Sequence, residues 1–203
     1  MTRSELIEKV ATVLDEINPL EQGETIANQQ IDKQLDGAAD SLVRMLPSSI
    51  AFPETGTPTV RNFIADFSVE LECPADFVRL HRLKLKDWIR SISSLSPDGD
   101  QLLLKQDYKY VKSTFRRPMA SIHNEDGTDI ITCYPPPEES GDEVVEFLYV
   151  KKPSNAQSIN TELMDMLAWH CAGIVYSVSG QSEHAELCRN RLAAMIETRI
   201  KHG

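Results

Sequence analysis

The sequence from residue 158 to residue 180 reads SINTELMDMLAWHCAGIVYSVSG, and the pattern of this stretch decides the fold. Ala168, Ala172 and Gly173 are small enough to let another helix approach closely, and Gly180 is a typical helix-ending residue. The large apolar residues recur at the three- and four-residue spacing of one helix face; they are Ile159, Leu163, Met166, Leu167, Ile174 and Val175. The stretch therefore predicts a helix that buries an apolar face against other helices.

Helix pairs are predicted at both ends of the chain. After Gly180 an amphipathic pattern covers residues 185–200, with Arg and Lys near its end as the helix dipole favours. At the start, apolar residues recur at helical spacing over residues 6–17, and a second helical pattern covers residues 24–45. Thr2 and Glu5 fit a capping box for the first of these helices. Because neither pair alone can cover its apolar stripe, we expect the two pairs to meet in one antiparallel four-helix body.

The middle of the chain has strand patterns instead. Residues 47–59, rich in Pro, Gly, Ser and Thr, predict a loop. Alternating leucines and cations over residues 82–86 indicate a strand, the alternation slips at Leu80-His81 as at a bulge, and Asp126-Gly127 predicts a hairpin turn. The predicted strands cover residues 67–73, 77–86, 118–122, 129–134 and 144–150, and the predicted helix of this region covers residues 96–110.

The predicted fold class is therefore α+β. The four-helix body is formed by an N-terminal helix pair (residues 1–62) and a C-terminal pair (residues 154–203). Between them in sequence lies a β-rich domain (residues 63–153) of about five strands and one helix.

Composition limits the class of protein. Of the 203 residues, 41% are hydrophobic and 26% are charged, which is typical of a globular chain that buries a core. No apolar run approaches the roughly 20 residues that a membrane-spanning helix needs, and the N-terminus lacks the pattern of a signal peptide. We therefore expect a soluble protein made in a cytoplasm. The four cysteines, Cys73, Cys133, Cys171 and Cys188, form no CxxC pair, and we expect reduced, mostly buried thiols.

The net charge of −10 is unevenly distributed. Residues 1–75 hold 5 basic and 13 acidic side chains, residues 76–118 hold 10 basic and 5 acidic, and residues 119–203 hold 6 basic and 13 acidic. The basic middle is compatible with a nucleic-acid-binding patch or with one half of a head-to-tail contact between subunits. The acidic net charge of the chain favours the contact between subunits. Contacts with phosphates supply most non-specific affinity for DNA, and an acidic protein repels them.

No catalytic, cofactor-binding or metal-binding residues are predicted. The five histidines are dispersed without HExxH or HxH spacing, and there is no GxSxG elbow, P-loop or GxGxxG motif. His170 and Cys171 are adjacent and would point about 100° apart on a helix. The pattern indicates that the protein is not an enzyme, although a Ser-His-Asp site assembled in space leaves no trace in a sequence.

An ordered set of short motifs resembles the portal-to-tail adaptor family of tailed bacteriophages, whose members include neck-ring, connector and tail-gatekeeper subunits. The motifs begin with the strand entry over residues 73–80, and they end with Gly180 and the helix after it. Between these lie Lys86-Asp87-Trp88, Gln106-Asp107-Tyr108, Arg117-Pro118, Tyr134-Pro135 and Phe147-Leu148-Tyr149-Val150. The pattern spans roughly residues 1–200 and is also similar to adaptors of Bacteroides-infecting (crAss-like) phages.

This resemblance implies a structural virion protein of the neck or tail, assembled in the host bacterial cytoplasm. It implies a homo-oligomeric ring, commonly of twelve copies, that joins the portal protein to the tail or to a second neck-ring protein. DNA would only pass through the channel, no cofactor would be needed and no membrane would be contacted. The alternative from another class is a nucleic-acid-binding or regulatory module that uses the basic region 76–118.

The candidate interface residues are aromatic anchors and cations. For Trp88 and Trp169 the alternatives are burial within the subunit and burial between neighbouring subunits. The cations of the strand are either a solvated face or a contact with the next copy or with DNA, and those of the last helix either stabilise the helix end or dock into the portal. The full set is Arg82, Lys84, Lys86, Trp88, Trp169, Arg189, Arg191, Arg199 and Lys201.

Overall fold

The computed structural model of the chain describes residues 1–18, 28–64, 67–97, 99–141 and 143–202. These residues form two compact units. The helical unit comprises Met1–Phe52 and Lys152–Gly203, and the β-rich unit comprises Pro53–Lys151. In chain order the elements are α1 (Arg3–Ile17), α2 (Asn28–Met45), β1 (Glu54–Thr55), β2 (Thr59–Ile64), β3 (Ser68–Glu72), β4 (Phe77–Leu85), α3 (Gly99–Gln106), β5 (Met119–Glu125), β6 (Thr128–Tyr134), β7 (Val144–Lys151), α4 (Met164–Val178) and α5 (Ser182–His202). The α+β class is thereby confirmed.

Helix α1 begins and ends where its sequence dictates. The Thr2 hydroxyl accepts a hydrogen bond from the Glu5 amide, and the Glu5 carboxylate accepts one from the Thr2 amide at 2.7 Å, so the predicted capping box is confirmed. Asn18 caps the other end through its amide, which donates to the Leu14 carbonyl. Residues 19–23, between the two predicted helices, and the predicted start of the second helix at residue 24 lie outside the described residues.

Helix α4 is the centre of the helical unit. Helices α1, α2 and α5 all pack against it, and α1 also contacts α2. Tyr176, 1% exposed, donates its hydroxyl to the Leu14 carbonyl at 2.7 Å and so ties α4 to the end of α1. The residues that α4 buries are Met164, Met166, Leu167, Ala168, Cys171, Ala172, Gly173, Val175 and Tyr176. A helix buried over this much of its surface can be stable only with neighbours on several sides.

The β-rich unit contains two antiparallel sheets. One has the strand order β1-β7-β4 and the other the order β2-β3-β6-β5. Asp126 and Gly127 form the two-residue turn between β5 and β6 with φ of 51° and 85°, the left-handed pair that a tight hairpin requires. The pairing of β4 with β7 shifts between Leu80 and Arg82, which confirms the bulge expected from the slipped alternation.

One apolar core joins the two sheets of the β-rich unit. Leu83 and Phe147 contribute from the three-stranded sheet, and Leu71 and Ile131 contribute from the four-stranded sheet. All four side chains are at most 1% exposed. Because both sheets bury one face against the same cluster, this unit has a hydrophobic core of its own.

Several element predictions were wrong in detail. The β-rich unit has seven described strands where about five were predicted, because β1 lies in the stretch 47–59 that was predicted as a loop and β2 begins at its last residue, Thr59. The helix predicted to reach Tyr110 ends at Gln106, whose side chain instead binds Ser113. Two short 3-10 helices, Ala156–Ser158 and Thr161–Leu163, precede α4 where a continuous helix was predicted, and α5 extends beyond its predicted ends at both sides.

The four cysteines are free and buried, as predicted. Burial raises the pKa of Cys73 and of Cys171 to about 12 and that of Cys188 to about 11, and it also raises the pKa of Cys133. The thiols therefore stay protonated near neutral pH and contribute as small apolar groups.

We expect Tyr176→Phe to lower the free energy of unfolding by about 1–2 kcal/mol, because the buried Leu14 carbonyl loses its side-chain donor while the ring still fills its site. Chemical denaturation monitored by circular dichroism measures the change. Tyr110→Phe is the matched control, since Tyr110 is 87% exposed and its hydroxyl can bind water in both states. Equal stability of the two variants would contradict this role of Tyr176.

Candidate interaction surfaces

The cations of β4 lie on the face opposite to its buried leucines. Arg82 has a half-exposed side chain whose guanidinium is 3.4 Å from the Glu146 carboxylate. Lys84 is in register with the same Glu146 across the strand pair, and the Lys86 ammonium is 3.7 Å from Glu139. Acidic residues of the same unit therefore partly balance this face, and such exposed pairs contribute little to stability.

Trp88 lies in the core of the β-rich unit. Its side chain is 2% exposed, and its indole nitrogen donates to the Pro135 carbonyl at 2.9 Å. Both the apolar ring and the polar N–H are thus satisfied within the same unit, which is the first of the two alternatives that the sequence left open.

Trp169 lies at the surface of α4, beside α5. The ring is half-buried, and the Arg191 guanidinium carbon is 5.9 Å from its centroid, within the range of a cation–π contact. A groove of about 160 Å³ runs along the two helices; its lining residues are Trp169, His170, Gly173, Ile174, Ser177, Cys188, Arg189 and Leu192. A Cβ on Gly173 would come within 3.1 Å of the Cys188 Cβ, so this glycine allows α4 and α5 to approach closely.

The remaining cations of α5 fall into two groups. Arg189 lines the groove beside Trp169 and is exposed, so Trp169, Arg189 and Arg191 form one surface, called here the Trp169 surface. Arg199 lies further along the helix, where it pairs with Glu162 and sits 5.2 Å from the centroid of the Phe52 ring. Lys201 is exposed near the end of α5.

A group of exposed apolar residues in the β-rich unit was not among the predicted site residues. It is formed by residues 103–117, called here the tyrosine–lysine segment. Its exposed apolar residues are Leu103 (43%), Leu104 (60%), Tyr108 (64%), Tyr110 (87%) and Val111 (45%). Its exposed cations are Lys105, Lys109, Lys112, Arg116 and Arg117. The alternation of Tyr with Lys at residues 108–112 could have indicated this surface. The predicted helix instead included residues 108–110, which would have directed some of these side chains towards a core.

Local hydrogen bonds hold the tyrosine–lysine segment in a defined shape. The amide and hydroxyl of buried Ser113 both donate to the Gln106 side-chain oxygen, at 3.1 and 2.6 Å. The Arg117 guanidinium donates to the Tyr110 carbonyl at 3.1 Å, and the Arg117 amide donates to the Thr114 carbonyl at 2.8 Å. The exposed side chains therefore project from a folded loop.

The described residues contain no group of three or more His, Cys, Asp and Glu side chains placed to hold a metal ion. His170 joins α4 to α2, with its Nε2 2.7 Å from the Ser41 hydroxyl. Burial lowers the pKa of His170, so the neutral ring predominates near neutral pH. The arrangement ties two helices together.

Aromatic rings lie beside cations on both compact units: Trp169 beside Arg191 on the helical unit, and Tyr108 and Tyr110 among lysines on the β-rich unit. The family model described as SU10 adaptor protein matches residues 1–199. The chain therefore belongs to the SU10 adaptor protein family, and it is a phage structural adaptor and a virion component. No curated protein matches the chain. Within the described ranges, no helix combines the length and the apolar character that crossing a membrane would take.

We expect stability to fall as the pH drops below about 6.5, because of His170. Its folded pKa lies below the unfolded value of 6.5, so between the two values the unfolded chain binds more protons and is favoured as the pH falls. His170→Asn, which cannot titrate, should show a flatter dependence of the melting temperature on pH in this window. His123→Asn, at an exposed position of β5, is the control and should keep the wild-type slope.

Proposed function

We propose that the protein forms a ring of twelve copies in the phage neck, joining the portal protein to the tail or to a second neck-ring protein around the DNA channel. The observation that carries this proposal is the match of nearly the whole chain, residues 1–199, to the SU10 adaptor family. The role is one of assembly without catalysis or a cofactor. Assembly in the host bacterial cytoplasm, and origin in a Bacteroides-infecting (crAss-like) phage, are parts of the same proposal.

We also propose a division of the chain into a four-helix body, built from both ends of the chain, and an inserted β-rich domain. The compact helical unit of Met1–Phe52 and Lys152–Gly203 supports the idea of a body built from both ends of the chain. The separate core of Pro53–Lys151 supports the idea of an insert that folds around its own sheets.

In this proposal the helical body binds the portal through the Trp169 surface and the end of α5. Arg and Trp are the side chains most often found at the energetic centre of protein interfaces. Trp169 and Arg191 are already in contact, so little ordering is needed on binding. The cationic face formed by Arg82 and Lys84 of β4 and by Lys86, which follows the strand, would meet the next neck component. The net charge of −10 would let DNA slide past.

A nucleic-acid-binding function is the second candidate, because the tyrosine–lysine segment combines exposed aromatic rings with cations. Such surfaces stack bases and contact phosphates in proteins that bind single strands. The binding of labelled single-stranded and duplex DNA, measured at low and at moderate salt, tests it. Affinity that falls steeply with salt would support this candidate, and absence of retention at low salt would contradict it.

We expect purified protein to add a ring to its portal in negative-stain images, and we expect Arg189→Glu with Arg191→Glu to reduce this incorporation at least about tenfold. The physical reason is loss of cationic contacts and of the cation–π pair at the centre of the surface. Lys152→Glu is a control at an exposed cation outside the Trp169 surface. A wild-type chain that stays monomeric and never joins the portal would contradict the proposed function.

A further inference from the structure

The tyrosine–lysine segment requires a partner on physical grounds. Five large apolar side chains are exposed within nine residues, and Tyr110 is the most exposed of them at 87%. A concentrated apolar patch rimmed by charge marks an interaction surface in soluble proteins. Since Ser113 and Arg117 already fix the loop by hydrogen bonds, docking would cost little conformational entropy.

The segment lies at one edge of the four-stranded sheet. Helix α3, which begins the region, packs against β5, and the chain enters β5 at Met119 directly after residue 117. Strand β5 is the last strand in the order β2-β3-β6-β5. The cations and tyrosines are therefore presented beside the β5 edge.

The other edge of the same sheet has the complementary character. Strand β2 is exposed along almost its whole length, and Val60 (36%), Ile64 (44%) and the nearby Phe67 (41%) leave apolar surface uncovered. On the described residues of the sheet, β2 pairs with β3 on one side and has no strand on its other side. An open strand edge with apolar side chains is a typical template for contact with another chain.

The β2 edge also has a surplus of negative charge. The Arg61 guanidinium pairs with Glu125, and the pKa of Arg61 is raised first by that hydrogen bond and then by the charges of Glu125, Glu70 and Glu72. Glu72 and Glu70 of β3 are in register with Thr59 and Asn62 of β2. Because Arg61 already neutralises Glu125, these two carboxylates are the negative charges in excess beside β2. The tyrosine–lysine segment, with five cations and Asp107 as its one acid, has the opposite sign.

We propose that the tyrosine–lysine segment of one copy docks against the β2 edge of the next copy, as a head-to-tail contact that is repeated around the ring. This inference rests on the proposed ring and names the surfaces that close it. The two surfaces differ and lie at opposite edges of one sheet, which is the arrangement that a heterologous ring contact requires. Tyr110 and its apolar neighbours bury against Val60 and Ile64, while Lys109 and Lys112 meet Glu70 and Glu72.

A second copy fits these observations better than a nucleic acid does. The β2 edge supplies matching apolar and acidic groups on the chain itself, whereas a phosphate backbone would meet a protein of net charge −10. Single-stranded DNA would use the tyrosines and lysines but would leave the β2 edge unexplained. Retention of DNA by the segment is therefore an outcome that the test distinguishes.

Paired charge reversals test the contact in the full chain. Lys109→Glu with Lys112→Glu, and separately Glu70→Lys with Glu72→Lys, should each lower the fraction of protein in rings at least about tenfold. Combining all four substitutions in one chain should restore most of the rings, because each contact again joins opposite charges. Mass photometry and negative staining, without and with the portal, measure the ring fraction.

The control has the same change of charge at another place. Glu138→Lys with Glu139→Lys alters two exposed carboxylates away from β2, and it should leave ring formation unchanged. Thermal unfolding of every variant checks that the fold is kept; the reversed side chains are exposed or half-buried, so wild-type melting temperatures are expected.

The outcomes separate this inference from the proposed function. Rings formed by the wild type and equally by both reversals would overturn the contact and leave the ring adaptor standing, as would ring loss that the fourfold variant fails to restore. A wild type that forms no ring on its portal would overturn both. Intact rings, combined with DNA retention that is lost in Lys109→Glu with Lys112→Glu, would overturn the contact in favour of nucleic-acid binding.

Discussion

The helical unit depends on the burial of α4. A helix whose buried set includes Leu167, Cys171 and Val175 as well as Ala168 and Ala172 has apolar groups on several sides, and water would face them unless other helices covered each side. Helices α1 and α2 come from the first 52 residues, and α5 comes from the end of the chain. The two ends of the chain therefore need each other to fold. The residues between them must fold around a core of their own. A self-contained pair of sheets meets this requirement because its core is complete without the helices.

Burial of α4 also determines what is left for partners. Helix α5 uses Ala185, Cys188 and Leu192 to pack and keeps most of its other side chains exposed, so a long helix contributes more surface than core. The four-stranded sheet of the β-rich unit shows the same division between core and surface. Its middle strands β3 and β6 are buried, while β2 and the loop before β5 are exposed. Apolar surface with a fixed shape is suited to protein contacts. Its exposure to water raises the free energy of the free subunit, and assembly buries it.

Local physics made much of the fold predictable from the sequence. The Thr2–Glu5 capping box, the Asp126-Gly127 turn and the helix end at Gly180 each depend on a few neighbouring residues, and all three are confirmed. The misses have tertiary causes. Strand β1 has only two residues and exists because β7 offers it an edge, and the helix α3 stops early because Gln106 binds Ser113. Two features of the candidate site could not be predicted from the sequence. The burial of Trp88 depends on Pro135, 47 positions away. The exposure of Tyr110 depends on a loop shape that periodicity does not encode.

Charged and apolar side chains contribute differently to the proposed contact between the tyrosine–lysine segment and the β2 edge. Exposed ion pairs contribute about 0–1 kcal/mol each, so Lys109 or Lys112 opposite a carboxylate cannot hold two subunits together alone. The apolar side chains around Tyr110 supply the area whose removal from water drives association. Opposite charges at the two edges instead set direction, because a basic segment facing another basic segment, or a β2 edge facing another β2 edge, would bring like charges together. A chain that carries both partners of an unlike pair disfavours symmetric dimers, and repetition of one directed contact then leads to a closed ring or an open filament according to its rotation. For an adaptor, the portal can set the rotation between successive copies. A portal of fixed symmetry can be covered only by a closed ring of the same symmetry.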